Sequence, residues 1–133
     1  MTLTPVNPPE LGKPRGFAHG LVSPPGSRTL FVAGQIASGA DGRVTTDDVV
    51  QQFEGALANV LTVVRAAGGR AEQIARMTIY VTNMAQYREK RPALRDVWQR
   101  HMGSHYPAMA LVQVGALVDE RAAVEIEATA VLP

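Results

Sequence analysis

Tyr106-Pro107-Ala108-Met109-Ala110-Leu111-Val112-Gln113-Val114, a polar break over residues 115–122, and then Val124-Glu125-Ile126-Glu127-Ala128-Thr129-Ala130-Val131 form the stretch that decides the fold. In its last part Val124, Ile126, Ala128 and Ala130 fall on one face, and Glu125, Glu127, Thr129 and Val131 on the other. A period of two over this length belongs to a β-strand with one apolar face. The run over residues 109–114 has no clean polar face, which predicts a strand buried on both sides. The break carries Asp119, Glu120 and Arg121, so the two strands are expected to form a hairpin near the middle of a sheet. Glu125 and Glu127 then point away from the apolar face. Whatever covers that second face meets two carboxylates.

Upstream, residues 1–15 hold Pro5, Pro8, Pro9 and Pro14 and read as an extended lead-in. Residues 17–23 are a short strand, closed by Pro24-Pro25-Gly26-Ser27. Residues 29–37 are its expected partner, and Gly34 inside them marks a bulge or a close backbone approach. A helix starts near Thr45 or Thr46, either of which can cap it, with Asp47 and Asp48 suited to the positive end of its dipole. Val49, Phe53, Ala56, Leu57, Val60, Leu61 and Val64 make its buried stripe, and Gly68-Gly69 stops it. Residues 76–82 alternate as a strand. A second helix covers residues 86–102, with Tyr87, Leu94, Val97, Trp98 and Met102 inward and Pro92 either in a first turn or at a kink. The order β-β-α-β-α-β-β predicts an α+β domain, two helices on one face of a mixed sheet. The other face needs a cover, and self-association supplies the simplest one.

At 133 residues the chain is sized for one domain, residues 1–133. Charged residues are only 19% and hydrophobic ones 46%, which fits a surface partly covered by copies of itself. The net charge is +1, and no Lys/Arg cluster is interleaved with aromatics along the sequence, so no nucleic-acid partner is expected. The absence of cysteine excludes disulfides, thiolate nucleophiles and Cys-based zinc sites. The start of the chain lacks the basic and apolar regions of a signal peptide, and no apolar run approaches the ~20 residues of a membrane span. A cytoplasmic protein with no membrane partner is the expectation.

Several short motifs, in order and at matching spacing from residue 17 to residue 131, together resemble the RidA/YjgF family. They are Ala33-Gly34-Gln35-Ile36, Ala66-Ala67-Gly68, the strand over residues 77–83, Tyr106-Pro107-Ala108 and Val124-Glu125-Ile126-Glu127-Ala128. The resemblance implies a chorismate-mutase-like fold and a homotrimer with clefts between neighbouring subunits. It implies hydrolysis of reactive enamines or imines without metal or other cofactor. In the family's deaminases an arginine follows the Pro-Ala pair and grips the substrate carboxylate; here that position is Met109. Methionine offers no donor, so a charged hydrogen bond of ~1.5–3 kcal/mol is lost. Ala33 replaces a serine, Leu111 replaces a cysteine, and Phe17 stands where a tyrosine is common. Only Glu125, which the resemblance implies orients or activates water, is kept. This is the pattern of a divergent branch, with a more apolar pocket suited to a different or larger ligand.

Residue by residue, Glu125 is either a general base for water or a strand carboxylate paired across a subunit boundary. Glu127 reads as structural. Arg91 lies near the place of a cleft-lining asparagine of the deaminases. It is either the anion anchor that Met109 cannot be or a solvated charge in Arg88-Glu89-Lys90-Arg91. Arg15 has a path to the cleft mouth from the lead-in. His101 and His105 are four apart, but Gly103 between them ends the helix, so no metal site is expected. The expected site is thus Glu125 as catalytic residue, with Phe17, Ala33, Gly34, Arg91, Met109 and Leu111 around a small-molecule ligand. A trimer that binds a small ligand without turning it over is the alternative. RNA cleavage, reported for some relatives, ranks last because the charge is near neutral.

Overall fold

The strict alternation at the end of the chain becomes β6 (Val124–Leu132) in a computed structural model that describes residues 2–133. Val124, Ile126, Ala128 and Ala130 are all buried against the helical layer. The strand is paired on both edges. It runs antiparallel to β3 (Arg28–Gln35) on one side and to β4 (Ile74–Val81) on the other. β5 (Ala108–Gln113) lies outside β4 and parallel to it, so the four-stranded sheet has the order β3-β6-β4-β5.

The expected hairpin between the last two strands therefore does not form. A crossover through helices joins β4 to β5, and such a connection makes the two strands parallel neighbours. The chain must then pass back over β4 to reach the slot beside it, which the eight-residue break over residues 115–122 allows. β5 is an edge strand rather than one buried on both sides: Ala110, Val112 and Gln113 are exposed.

Two further expectations change at the start of the chain. The lead-in is not only a tether: β1 (Thr4–Val6) pairs antiparallel with β2 (Gly20–Val22) in a separate two-stranded ribbon. β2 accordingly does not pair with β3. Ahead of it, the Ala18 amide donates to the Pro107 carbonyl at 3.0 Å, and Ala18 bridges to Ala108. This docks Phe17 at the free edge of β5.

α1 (Val49–Ala66) is capped by Asp48, whose Oδ1 accepts from the Gln51 amide at 3.0 Å. Thr46 serves one turn earlier, where its hydroxyl oxygen accepts from the Asp48 amide. The expected second helix is two, α2 (Met84–Glu89) and α3 (Arg91–Met102), and Pro92 sits in the first turn of the latter, where a missing N–H costs nothing. Phe53, Leu57, Val60, Leu61 and Val64 of α1 and Leu94, Val97, Trp98 and Met102 of α3 form one core with the inner face of the sheet.

One buried polar side chain ties this core to the loop before β6. Gln52 is 1% exposed. Its Nε2 donates to the carbonyls of Thr46 and Arg121, and its Oε1 accepts from the Ala123 amide at 2.7 Å. It thereby sets where β6 begins. Gln52→Leu leaves three backbone groups without partners, and chemical denaturation should show a loss of about 2–5 kcal/mol.

On the surface between the helices, Glu54 Oε2 lies 2.8 Å from Nη2 of Arg100 and 2.9 Å from Nε2 of His101. The hydrogen bond from Arg100, then that from His101, hold the Glu54 carboxyl below its ordinary value of 4.5. A carboxyl held down in the folded state stabilises the fold above its unfolded value, and that contribution fades as pH falls through the folded one. Because the group is partly exposed, Glu54→Gln should cost no more than about 1 kcal/mol at neutral pH. In thermal melts the deficit should begin to shrink as pH falls below 4.5, the ordinary value of this carboxyl, and vanish once pH is below the lowered folded value.

Candidate functional site

The sheet has one face under the helices; on the other, Phe31 and Glu127 are exposed and Glu125 is half-buried, while Val131 near the end of β6 is buried. Alternation divides the candidate residues between the two. Met109 and Leu111 lie on the helical side of β5, in register with Met77 and Ile79 of β4. Glu125 and Glu127 lie on the bare side of β6, opposite Tyr80 and Thr78 of β4.

On the helical side a cleft of about 620 Å³ opens between the β5 edge and α2 and α3. Phe17, Arg91, Met109 and Leu111 all line it, so these four expected residues are brought together. Its floor is aromatic as well. Trp98 and Tyr106 stack with ring centroids 5.7 Å apart and planes within 4° of parallel. The Trp98 indole N–H donates to the His105 carbonyl at 3.1 Å, and Nε2 of His105 meets the Ile74 carbonyl at 2.8 Å. These bonds fix the loop that carries Tyr106. Phe17 meets the His19 ring edge-on at 5.1 Å. His101 and His105 are thus engaged separately, with Glu54 and with a backbone carbonyl.

The cleft also holds residues that periodicity assigned elsewhere. Tyr87 read as a core position, yet it is half-buried and lines the cleft; Trp98 is buried in the core as expected and also reaches the cleft. Burial raises the Tyr87 phenol above its ordinary value, and the Arg91 charge partly opposes this. Arg15 reaches the cleft, and so do Arg88, part of the run read as solvated charge, and Arg95, which the sequence reading did not single out. The signal was present in the spacing. Residues 88, 91 and 95 are separated by three and then four, which puts them on one stripe even across the junction of α2 and α3.

On the bare side Ala33, Gly34 and Glu125 come together. The register of β3 against β6 shifts between Val32 and Gln35, so Gly34 sits in a bulge, one of the two roles its position predicted. The other role also holds. A Cβ built on Gly34 would lie 2.8 Å from Cδ of Glu125 and 2.9 Å from Oε2. The bare backbone at Gly34 is what lets the carboxylate lie there. Among the described residues Glu125 makes no ion pair. Its neighbour Glu127 accepts a 2.7 Å hydrogen bond from the Tyr80 hydroxyl, which raises the Tyr80 phenol above its ordinary value and keeps it a donor. Phe31, 79% exposed, and Val112 stand on the same side of the sheet.

These features define a class of protein: an α+β chain with a helix-side cleft at one sheet edge and a carboxylate on the opposite, uncovered face. The family model described as Endoribonuclease L-PSP matches residues 17–132. The chain is 31% identical over 105 residues to the 2-iminobutanoate/2-iminopropanoate deaminase of Capra hircus, which covers 78% of this chain and 73% of that one. Among solved structures it resembles YyfB of Yersinia pestis, a Rid-family protein of unknown function, with a TM-score of 0.87, 32% identity and coverage of 99% and 100%. It also resembles E. coli TdcF, solved with bound serine, with a TM-score of 0.69, 29% identity and 92% of each chain covered. The chain belongs to the RidA/YjgF family.

No helix among the described residues is long and apolar enough to cross a membrane, and no three His, Cys, Asp or Glu side chains among them are placed to hold a metal ion.

Gly34→Ala tests the contact beneath Glu125. The added methyl meets the end of a flexible side chain, so the carboxylate swings away while the strand stays paired. Thermal stability should be nearly unchanged, whereas any reaction that uses this carboxylate should slow about a hundredfold. Equal turnover in Gly34→Ala and wild type would show that the position of Glu125 does not matter.

Proposed function

We propose that the chain hydrolyses an enamine or imine in clefts between the subunits of a homotrimer, with Glu125 directing the attacking water. The observation that carries this reading is the state of Glu125: a half-buried carboxylate without an ion pair, on an uncovered sheet face, cradled by Gly34. A carboxylate so placed has room for water and lone pairs free to orient it. The bare face also carries exposed Phe31 and Val112, apolar surface that association would cover. Setting the bare face of one copy against the cleft of another would bring the two halves of the candidate site together.

In the proposed step, water adds to the carbon of the C=N bond as Glu125 takes one of its protons. That proton passes to nitrogen. The resulting carbinolamine collapses: its hydroxyl proton passes to nitrogen, the C–N bond breaks as C=O forms, and ammonia leaves. An enamine first gains a proton at carbon and loses one from nitrogen, becoming the imine. The apolar, aromatic cleft would hold the reactive compound away from bulk water. The relatives named as 2-iminobutanoate/2-iminopropanoate deaminases support the reaction class. Met109, in the place of the deaminases' arginine, argues that the substrate differs from theirs.

That same Met109 favours a second reading, a trimer that binds or senses a small ligand without turning it over. One experiment separates the two. Imines generated in place by an amino-acid oxidase are followed by keto-acid release, with wild type, Glu125→Ala and Met109→Arg compared. Wild type should accelerate hydrolysis, and Glu125→Ala should lower the rate by at least about a hundredfold. Acceleration by Met109→Arg alone would mean that this chain serves another ligand. No acceleration by any of the three favours the binding reading. Light scattering should give three times the monomer mass.

A further inference from the structure

The candidate cleft lost the one arginine that the deaminases use, yet it is not short of positive charge. Arg15, Arg88, Arg91 and Arg95 all line it. They come from three segments: the lead-in, the end of α2, and the first two turns of α3. No aspartate or glutamate lines the cleft, and none of the four arginines makes an ion pair among the described residues. Guanidinium groups stay protonated at any physiological pH, so their mutual repulsion is not relieved by titration. If a second copy brought Glu125 and Glu127 to the cleft, two of the four charges would still lack a counter-charge.

Two unmatched guanidinium charges around an aromatic floor describe a ligand. A three- or four-carbon compound with a single carboxylate would fill only a fraction of about 620 Å³ and would meet only part of the charge. Tyr106, stacked on the buried Trp98, and Phe17 offer aromatic surface for a planar or apolar body. Arginine forks at the rim suit carboxylate or phosphate oxygens. We propose that this cleft takes a small dianion, a compound with a planar or apolar body and two negative charges, supplied either by two carboxylates or by one phosphate. The proposal deepens the reading above by naming a substrate class for the same cleft, and it rests on that reading only for the chemistry performed on the ligand.

Binding can be measured without turnover, which keeps the two ideas separable. Calorimetric titration of the full chain with benzoate, phthalate and phenyl phosphate compares one ring bearing one negative charge or two. At least one of the dianions should bind ten times or more tighter than benzoate, and its affinity should fall as salt is added. Tighter binding of phthalate points to a dicarboxylate, and tighter binding of phenyl phosphate to a phosphate ester. Arg91→Gln and Arg95→Gln should each weaken the preferred dianion by roughly tenfold. Both side chains are exposed, so the variants should melt with wild type. Equal affinity for benzoate and the dianions, no binding of any probe, or dianion affinity untouched in both variants would overturn the proposal. So would a single-stranded oligoribonucleotide that bound far more tightly than phenyl phosphate, because the arginines would then serve an RNA backbone. Hydrolysis of single-carboxylate imines without dianion preference would sink the ligand class while leaving the reaction intact. Dianion preference without any hydrolysis would do the reverse.

Discussion

Everything in this fold depends on β6 having neighbours on both edges and a core on only one face. Its apolar side chains, Val124, Ile126, Ala128 and Ala130, are drawn under α1 and α3 by burial. The same alternation forces Glu125 and Glu127 to the opposite side. A charged group cannot be placed under the helical layer without a partner, so the strand has one acceptable orientation. The carboxylates are thus held in position by the packing of their neighbours. Gly34 on β3 and Gln52 on α1 refine that position, one by leaving space and one by anchoring the loop that starts the strand.

A second constraint is the parallel pairing of β4 and β5. It leaves β5 at the sheet edge, where Met109 and Leu111 face the space beside α2 and α3. The docking of Ala18 onto Pro107 then adds Phe17 to the same rim. The resulting cleft joins an apolar floor to a charged rim. Met109 places no hydrogen-bond donor on the floor, while arginines on the lead-in and helices line the same cleft. Under the proposal of a dianionic ligand, such a cleft would meet the ligand's charge at its rim and its body at the floor.

The elements were largely legible because each is written in a strong local pattern. The stripe from Val49 to Val64 could only be a helix, and the period of two from Val124 onward could only be a strand. The Tyr-Pro-Ala and Glu-Ile-Glu motifs carried the family resemblance that the comparisons bear out. The hairpin expected between the last two strands failed because adjacency in sequence was taken for adjacency in space. Pairing is set by the crossover connection and by how completely each strand buries its faces. Asp48 displaced the two threonines as helix cap because a cap is chosen by the turn geometry ahead of the helix. Tyr87 was read as core from its spacing, yet a ring can have one face against the core and the other at a cleft, whereas Trp98 is buried as its spacing predicted.

By itself, the sequence determined the class of fold, the family, the orientation of Glu125 away from the apolar face, and the missing donor at Met109. The fold class and the orientation of Glu125 follow from periodicity, which is local; the family, and with it the reading of Met109 as a missing donor, follows from the resemblance carried by short motifs. Only the tertiary structure decided that Glu125 and the Met109 cleft lie on opposite faces of one sheet. Only it decided that four arginines scattered from residue 15 to residue 95 line a single cleft. Charge convergence of this kind depends on chain path and not on composition. A net charge of +1 over the whole chain can therefore coexist with a strongly cationic rim.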